Sequence, residues 1–257
     1  MIASIRYHSR VIGALFMRET ITRYGREGLG FLWLIGEPLI FCLGVMGLWA
    51  VIKPEYEHGV RVAPFVMTGY MCLLLFRHIV GYNLNALQAN VGLMHHRAVK
   101  PLHIYVSRAL MEFAGATVAF AIVYAILLVL GAVSRPHDIL LLYGGWLILF
   151  WFSTGLSLTF SALSIRFEVM ERVVPVFMYL MIPLSGAFIM VDWLPDAYQK
   201  IYLLIPMPHT VEMVRGATFG EFVPTHYHPW YPIAWSAALT LTGLTLLATA
   251  RQRVDVE

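Results

Sequence analysis

The stretch TRYGREGLGFLWLIGEPLI, residues 22–40, decides the fold. It opens on Arg23, Arg26 and Glu27 and then runs directly into apolar sequence, inside which Glu37 stands next to Pro38. Cations followed at once by an apolar run mark a chain entering a bilayer from its positive side. A carboxylate two turns into such a run needs a partner or a wet cavity. Proline at position 38 cannot donate to the carbonyl of Leu34, which is left open, and it can kink the helix.

The whole composition agrees with that entry. Of 257 residues, 59% are hydrophobic and 13% are charged, against about 45–50% and about 25% in ordinary soluble domains. No soluble core of this length hides so much apolar surface. The net charge of +3 is too small to imply a nucleic-acid partner. Cys42 and Cys72 both lie in apolar runs, where thiols serve as packing residues. The N-terminus carries Arg6, Arg10 and Arg18 without an early apolar core and small-residue cleavage site, so the first span is expected to be an uncleaved anchor.

A span needs roughly 20 apolar residues. Six candidates appear, at about 31–52, 63–82, 110–133, 139–163, 173–191 and 231–250, all of them helical because lipid leaves no partner for an unpaired backbone. Pro175 and Pro183 make the fifth irregular. The expected fold is therefore an all-α integral membrane protein, one permease domain over residues 1–257. With the N-terminus inside, the inner segments hold Arg6, Arg10, Arg18, Arg23, Arg26, Arg97, Lys100, Arg108, Arg166, Arg172, Arg251 and Arg253, and the outer ones hold Lys53, Arg61, Arg135, Lys200 and Arg215, twelve against five. Both termini are then cytoplasmic.

Residues 1–27 are expected to form a cytoplasmic interfacial helix. Over 5–18, Ile5, Ile12, Leu15 and Phe16 fall on one side and Arg6 and Arg10 on the other; a solvated basic tail fits the same residues. Segment 192–230 holds Trp193, Tyr198, Tyr202, Leu203, Leu204 and Ile205, too apolar for a floppy outer loop, and is read as short helices re-entering the outer leaflet.

The loop 83–109 sets Val91, Leu93 and Met94 beside His96, Arg97 and Lys100. An apolar knob with a basic rim suits docking into a groove on another protein, and a plain positive-inside loop fits equally. No phosphate-binding G-x-x-x-x-G-K-[ST] occurs, so an ATP-driven chain of this kind borrows its ATPase. His95 and His96 are adjacent and cannot share a helix face as metal ligands, and His226 and His228 lack a third ligand. A nucleophile elbow, H-E-x-x-H and a carboxylate pair within the spans are likewise missing, so no catalytic residue and no metal ligand is assigned. A secondary transporter would want matching halves with discontinuous helices, and a glycosyltransferase would want a nucleotide-sugar domain; neither pattern is present. Glu37 has two readings: it faces a dimer interior and pairs with a cation such as Arg97 or Arg166, or it belongs to a structural cap around the backbone freed by Pro38.

The order of parts resembles the capsular polysaccharide export permeases, the KpsM-type membrane subunits of ABC exporters of the type-two permease family. The resemblance rests on R-E-x-x-T-R-Y-G-x-x-x-L-G-x-L-W-x-x-x-E-P over 18–38, V-K-P over 99–101 and H-x-x-E-x-x-R over 209–215, and it covers nearly the whole chain. Met207-Pro208 departs from the Asn-Pro of the family pattern. The resemblance implies a homodimer with six spans per copy, carried by two separate ATP-binding subunits that hold ATP and Mg, with no cofactor on this chain. Gln88, Asn90, Leu93, Met94, His96 and Arg97 would couple to the ATPase. Arg10, Arg23, Arg26, Trp33 and Glu37 would stand at the substrate mouth, and Trp193, His209, Glu212 and Arg215 at a periplasmic gate. The cargo would be a lipid-linked acidic capsular polysaccharide leaving the bacterial inner membrane for a periplasmic adaptor and an outer-membrane exporter. O-antigen, teichoic acid or another hydrophobic cargo would use the same architecture.

Overall fold

The computed structural model describes residues 2–24, 30–94 and 99–254. Among the described residues, ten α-helices follow in order: α1 Ile2–Tyr24, α2 Gly30–Ile52, α3 Val62–Leu84, α4 Val91–Met94, α5 Pro101–Val129, α6 Ile139–Ser164, α7 Met170–Leu184, α8 Asp196–Tyr202, α9 Pro206–Phe219 and α10 Trp230–Val254. Among the described residues, five helices are long and apolar enough to cross a membrane: α2, α3, α5, α6 and α10. They coincide with five of the six expected spans. The sixth expectation, 173–191, is met by α7, whose 15 residues reach about 22 Å at 1.5 Å per residue, short of about 30 Å of hydrocarbon. Pro183 and the turn at Gly186, with φ of 83°, end it early.

Local chemistry sets the boundaries. Pro101 opens α5 at a position where its missing N–H is not needed, nine residues before the expected start. The extra turns carry Arg108, a charge assigned to the loop 83–109 that is buried instead, and Glu112, inside the expected span, is buried as well. The carboxylate of Asp138 accepts from the Leu141 N–H at 2.9 Å and caps α6. Between α2 and α3 lies a feature absent from the all-helical expectation, an antiparallel hairpin of β1 Tyr56–Glu57 and β2 Val60–Arg61. His58 and Gly59, at φ of 50° and 78°, give it the left-handed two-residue turn that hairpins favour.

α3 is the central helix, buried along most of its length against α5, α6, α2 and α9, whereas α2 is the least covered span. The main core gathers Phe65, Met71, Leu75, Phe76 and Ile79 of α3 with Ala116 and Val123 of α5, Leu149 and Phe152 of α6 and Val211 and Val214 of α9. Pro38 acquires a role here. The Leu34 carbonyl that it leaves open faces Gly115 of α5, where a Cβ would lie 2.7 Å from that oxygen. Glycine lets the two backbones close at the one place where α2 has a spare acceptor.

Contacts between loops sort the chain into two ends. At one, α1, residues 85–94, the start of α5, the α6–α7 turn and the last turns of α10 meet, the last pair through Arg166 and Thr249. At the other, the hairpin, the α5–α6 turn and residues 190–228 meet, with Arg61 donating to the Gly131 carbonyl and the His137 N–H to the Ala217 carbonyl. The segments expected inside share the first end; those expected outside share the second.

Candidate functional site

A cleft of about 650 Å³ opens between α2, α3 and α7, within the range of about 300–1,000 Å³ typical of ligand sites. Its walls are mostly apolar, with Phe41, Tyr70, Tyr179 and Phe188 supplying rings and Glu37, Arg77, His78 and Tyr82 supplying polar groups. Arg77, His78 and Tyr82 follow from helical geometry: 78 and 82 are one turn apart on α3, and their rings meet edge to face at 5.4 Å. The Arg77 guanidinium lies 5.5 Å from the centre of the Tyr179 ring, a cation–π arrangement across the cleft. His78 Nδ1 lies 3.4 Å from a carboxylate oxygen of the buried Glu112 on α5. The Tyr82 hydroxyl donates to Glu37 at 3.2 Å.

Among the described residues, Glu37 is held by the Tyr82 hydroxyl. Of the two cations named for it, Arg166 is bonded to Thr249, and Arg97 lies outside the described residues. Of the other mouth candidates, Trp33 and Arg10 are exposed on α2 and α1. Arg23 sits in the last turn of α1, and Arg26 lies outside the described residues. Sequence reading passed over Arg77 and Tyr82 as cleft groups, although a cation inside an apolar span is itself a signal.

The expected coupling segment divides in two. Gln88 is exposed and donates to Glu171 at 3.0 Å, beside a hollow of about 410 Å³ that it shares with Glu168, Val169 and Arg172. Val91 is also exposed. Asn90, by contrast, is buried, and Leu93 packs on the small core of Leu15, Ile104 and Tyr105. Among the described apolar side chains of this short helix, Val91 is exposed and Leu93 is partly buried. Met94 closes α4; His96 and Arg97 lie outside the described residues.

α1, the expected interfacial helix, also has partners within the fold. It docks on α5: His8 and His103 share a hydrogen bond of 2.8 Å between ring nitrogens, and Glu19 and Thr20 are buried with Leu15. Tyr7, Met17 and Ile21 remain exposed on its outer side.

At the opposite end, α9 carries three of the four expected gate residues, His209, Glu212 and Arg215, and all three are sealed inside the fold. Arg215 is fully buried and donates to the carbonyls of Gly186 at 2.6 Å, Ala187 at 2.7 Å and Ile189 at 3.0 Å. Its guanidinium sits 4.1 Å from the Phe65 ring centre, and Glu212 lies 3.8 Å away. Burial pulls the Arg215 pKa down to about 10, which leaves it charged at neutral pH. Glu212 also accepts from the N–H groups of Val191 and His226. Burial raises its pKa, and Arg215 pulls the other way. His209 donates through Nε2 to the Leu203 carbonyl at 2.8 Å and accepts at Nδ1 from the His228 N–H at 3.0 Å. Trp193 is partly exposed, stacked between His58 and Phe65. The H-x-x-E-x-x-R residues tie segments 186–191, 203 and 226–228 to one helix.

Residues 10–219 match the ABC-2 type transporter family. The chain is 36% identical over 98% of its length, and 95% of the relative's, to the capsule polysaccharide export inner-membrane protein CtrC of Neisseria meningitidis serogroup A. It is 34% identical, with the same coverage, to the capsule polysaccharide export inner-membrane protein BexB of Haemophilus influenzae. Against the polysialic acid transport protein KpsM of Escherichia coli it is 27% identical over 94% of its own length and 93% of the relative's. With its long apolar helices and near end-to-end likeness to these export proteins, the chain belongs to the ABC-2 type transporter family of membrane proteins.

Proposed function

We propose that this chain is the membrane subunit of an ATP-driven exporter that moves a lipid-linked acidic capsular polysaccharide across the bacterial inner membrane. Two copies form the conduit. Each crosses six times, the fifth crossing being made by α7 together with residues 185–190, and both termini are cytoplasmic. Two copies of a separate ATPase, which hold ATP and Mg, dock beneath on Gln88 and Val91 and on the neighbouring α6–α7 turn. The glycolipid enters from the inner leaflet past α1, whose exposed Tyr7, Met17 and Ile21 rest in lipid while Arg10 faces headgroups. ATP binding displaces the coupling segment and widens the path, and the outer segment 191–219 opens toward a periplasmic adaptor and an outer-membrane exporter.

The observation that carries this reading is the cleft. Arg77 offers a charge to an acidic group at a depth where water is scarce, and the rings of Phe41, Tyr70, Tyr179 and Phe188 offer flat faces to sugar C–H groups. Such stacking is indifferent to the pattern of hydroxyls, which suits a polymer passing residue by residue. The likeness to named capsule export proteins supports the cargo class. The test is complementation of a bacterium that lacks its own capsule permease, with surface polysaccharide measured alongside ATPase turnover of the purified complex. The chain should restore export, and Arg77→Gln should lower export with the ATPase still assembled. Restoration of O-antigen or teichoic acid but not capsule would overturn the cargo, and export without any ATPase partner would overturn the mechanism.

A further inference from the structure

The polar contacts at the cation-rich end run without a gap from the coupling segment to the cleft. Asn90 stands at the turn into α4. Its amide N–H group donates to Glu19 at 3.1 Å and to the Ala86 carbonyl at 3.0 Å, and its oxygen accepts from Arg18 at 2.8 Å. The same Glu19 oxygen lies 3.2 Å from one terminal nitrogen of Arg108. The other terminal nitrogen of Arg108 donates to the Tyr82 carbonyl at 3.0 Å. The Tyr82 hydroxyl then reaches Glu37 in the cleft wall. Each link passes to a different element, from the loop to α1, to α5, to α3 and to α2, and Asn90, Glu19 and Arg108 are all more than nine-tenths buried.

We propose that Asn90, Glu19, Arg108 and Tyr82 are positioning residues that make the coupling segment and the Glu37 wall of the cleft move as one body. This rests on the ATP-driven reading above. The physical reason is directionality. Apolar contacts such as those of Leu93 with its small core are non-directional and slide at little cost, whereas a buried hydrogen bond to a charge is lost steeply once its geometry fails and leaves a desolvated group behind. A push on residues 88–94 therefore carries Glu19 and Arg108 with it rather than parting from them. Arg108 is suited to the middle of the chain because its two terminal nitrogens hold two neighbours at once, which the single nitrogen of lysine does less well.

The test uses the full chain assembled with its ATPase in lipid nanodiscs, with Cys42 and Cys72 replaced by alanine. A fluorophore at V91C reads seating on the ATPase, and a spin-label pair at I40C and L180C, exposed positions on α2 and α7, reads cleft width. A non-hydrolysable ATP analogue should change both signals in the parent. Tyr82→Phe removes only the hydroxyl, and Asn90→Ala cuts the chain at its other end. In each, the V91C response should persist while the change in cleft width is lost, with the protein still folded at the temperature of the assay. A parental change in cleft width in both Tyr82→Phe and Asn90→Ala overturns the inference. Absence of any V91C response in the parent overturns the ATP-driven reading instead, so the two failures are distinguishable.

Discussion

Replacing Arg215 with methionine tests whether the outer end of this permease is held by a charge inside the fold. The side chain is fully buried and serves the carbonyls of Gly186, Ala187 and Ile189. Hydrogen bonds to charged groups contribute about 1.5–3 kcal/mol each. Three such bonds are not additive, and removing one partner of a buried pair typically costs about 3–5 kcal/mol because the other charge, here Glu212, is left uncompensated. One offset exists: Arg215 Nε already lacks a hydrogen-bond partner, so its burial carries a cost that methionine relieves. The expected net loss is about 3 kcal/mol, or roughly 6–12 °C in thermal midpoint for a chain of this size. Intrinsic tryptophan fluorescence during heating in detergent is the assay. Arg166→Met, at an exposed arginine bonded to Thr249, serves as control and should cost less than about 1 kcal/mol. Arg215→Lys, which keeps the charge near Glu212 but offers one nitrogen to three carbonyls, should fall between. An Arg215→Met protein melting within about 2 °C of the parent, under half the smallest expected shift, would refute the reasoning.

Three further outcomes follow from other contacts. A Cβ at Gly69 would meet the Ala187 oxygen at 2.1 Å and an Arg215 nitrogen at 2.7 Å, so Gly69→Ala should destabilise by about 1–3 kcal/mol; combined with Arg215→Met it should cost less than the sum, because both act on one carbonyl. Burial holds the His209 pKa below its ordinary 6.5, and its Nδ1 must stay unprotonated to accept from the His228 N–H; the stability it protects should be intact above that value and be lost as pH falls toward the folded pKa, and His209→Gln should remove that slope from a melting-temperature profile. Val91 is exposed, so Val91→Glu should leave the melting temperature unchanged while weakening co-purification of the ATPase; unchanged co-purification would move the docking surface elsewhere.

The spans were legible because lipid demands length and apolarity together, and few other sequences meet both. What escaped was set by partners distant in the chain. Arg108 looks like a loop residue until Glu19 is seen beside it, and the partner of Glu112, His78, lies on another helix. Asn90 sits in a segment that reads as surface, yet Arg18 and Glu19, some seventy residues earlier, close over it. Glu37 announced itself, but its contact is a neutral hydroxyl on α3, and no pattern within α2 specifies that. The H-x-x-E-x-x-R spacing drew attention to α9; its burial was hidden because polar residues read as surface unless the backbone carbonyls they serve are known.

The same contacts give the cleft one fixed wall and one loose wall. On the α2 side, Leu34 meets Gly115 at backbone distance and Tyr82 holds Glu37, so moving α2 away breaks directional bonds. On the α7 side, the buried groups are Val174, Met178 and Met181, and methionine re-packs with little preference for one geometry. The start of α7 is tied by the exposed bond from Gln88 to Glu171, which contributes no more than about 1 kcal/mol, and its middle by the contact of Arg77 with the exposed Tyr179 ring, which contributes about 0.5–1 kcal/mol at such a site. Widening by α7 is therefore cheaper than widening by α2. Spin-label distances from Ile40 to Leu180 on α7 should be more broadly distributed than those from Ile40 to the exposed Val118 on α5, and two distributions of equal breadth would show that the wall of α7 is held by something these contacts do not include.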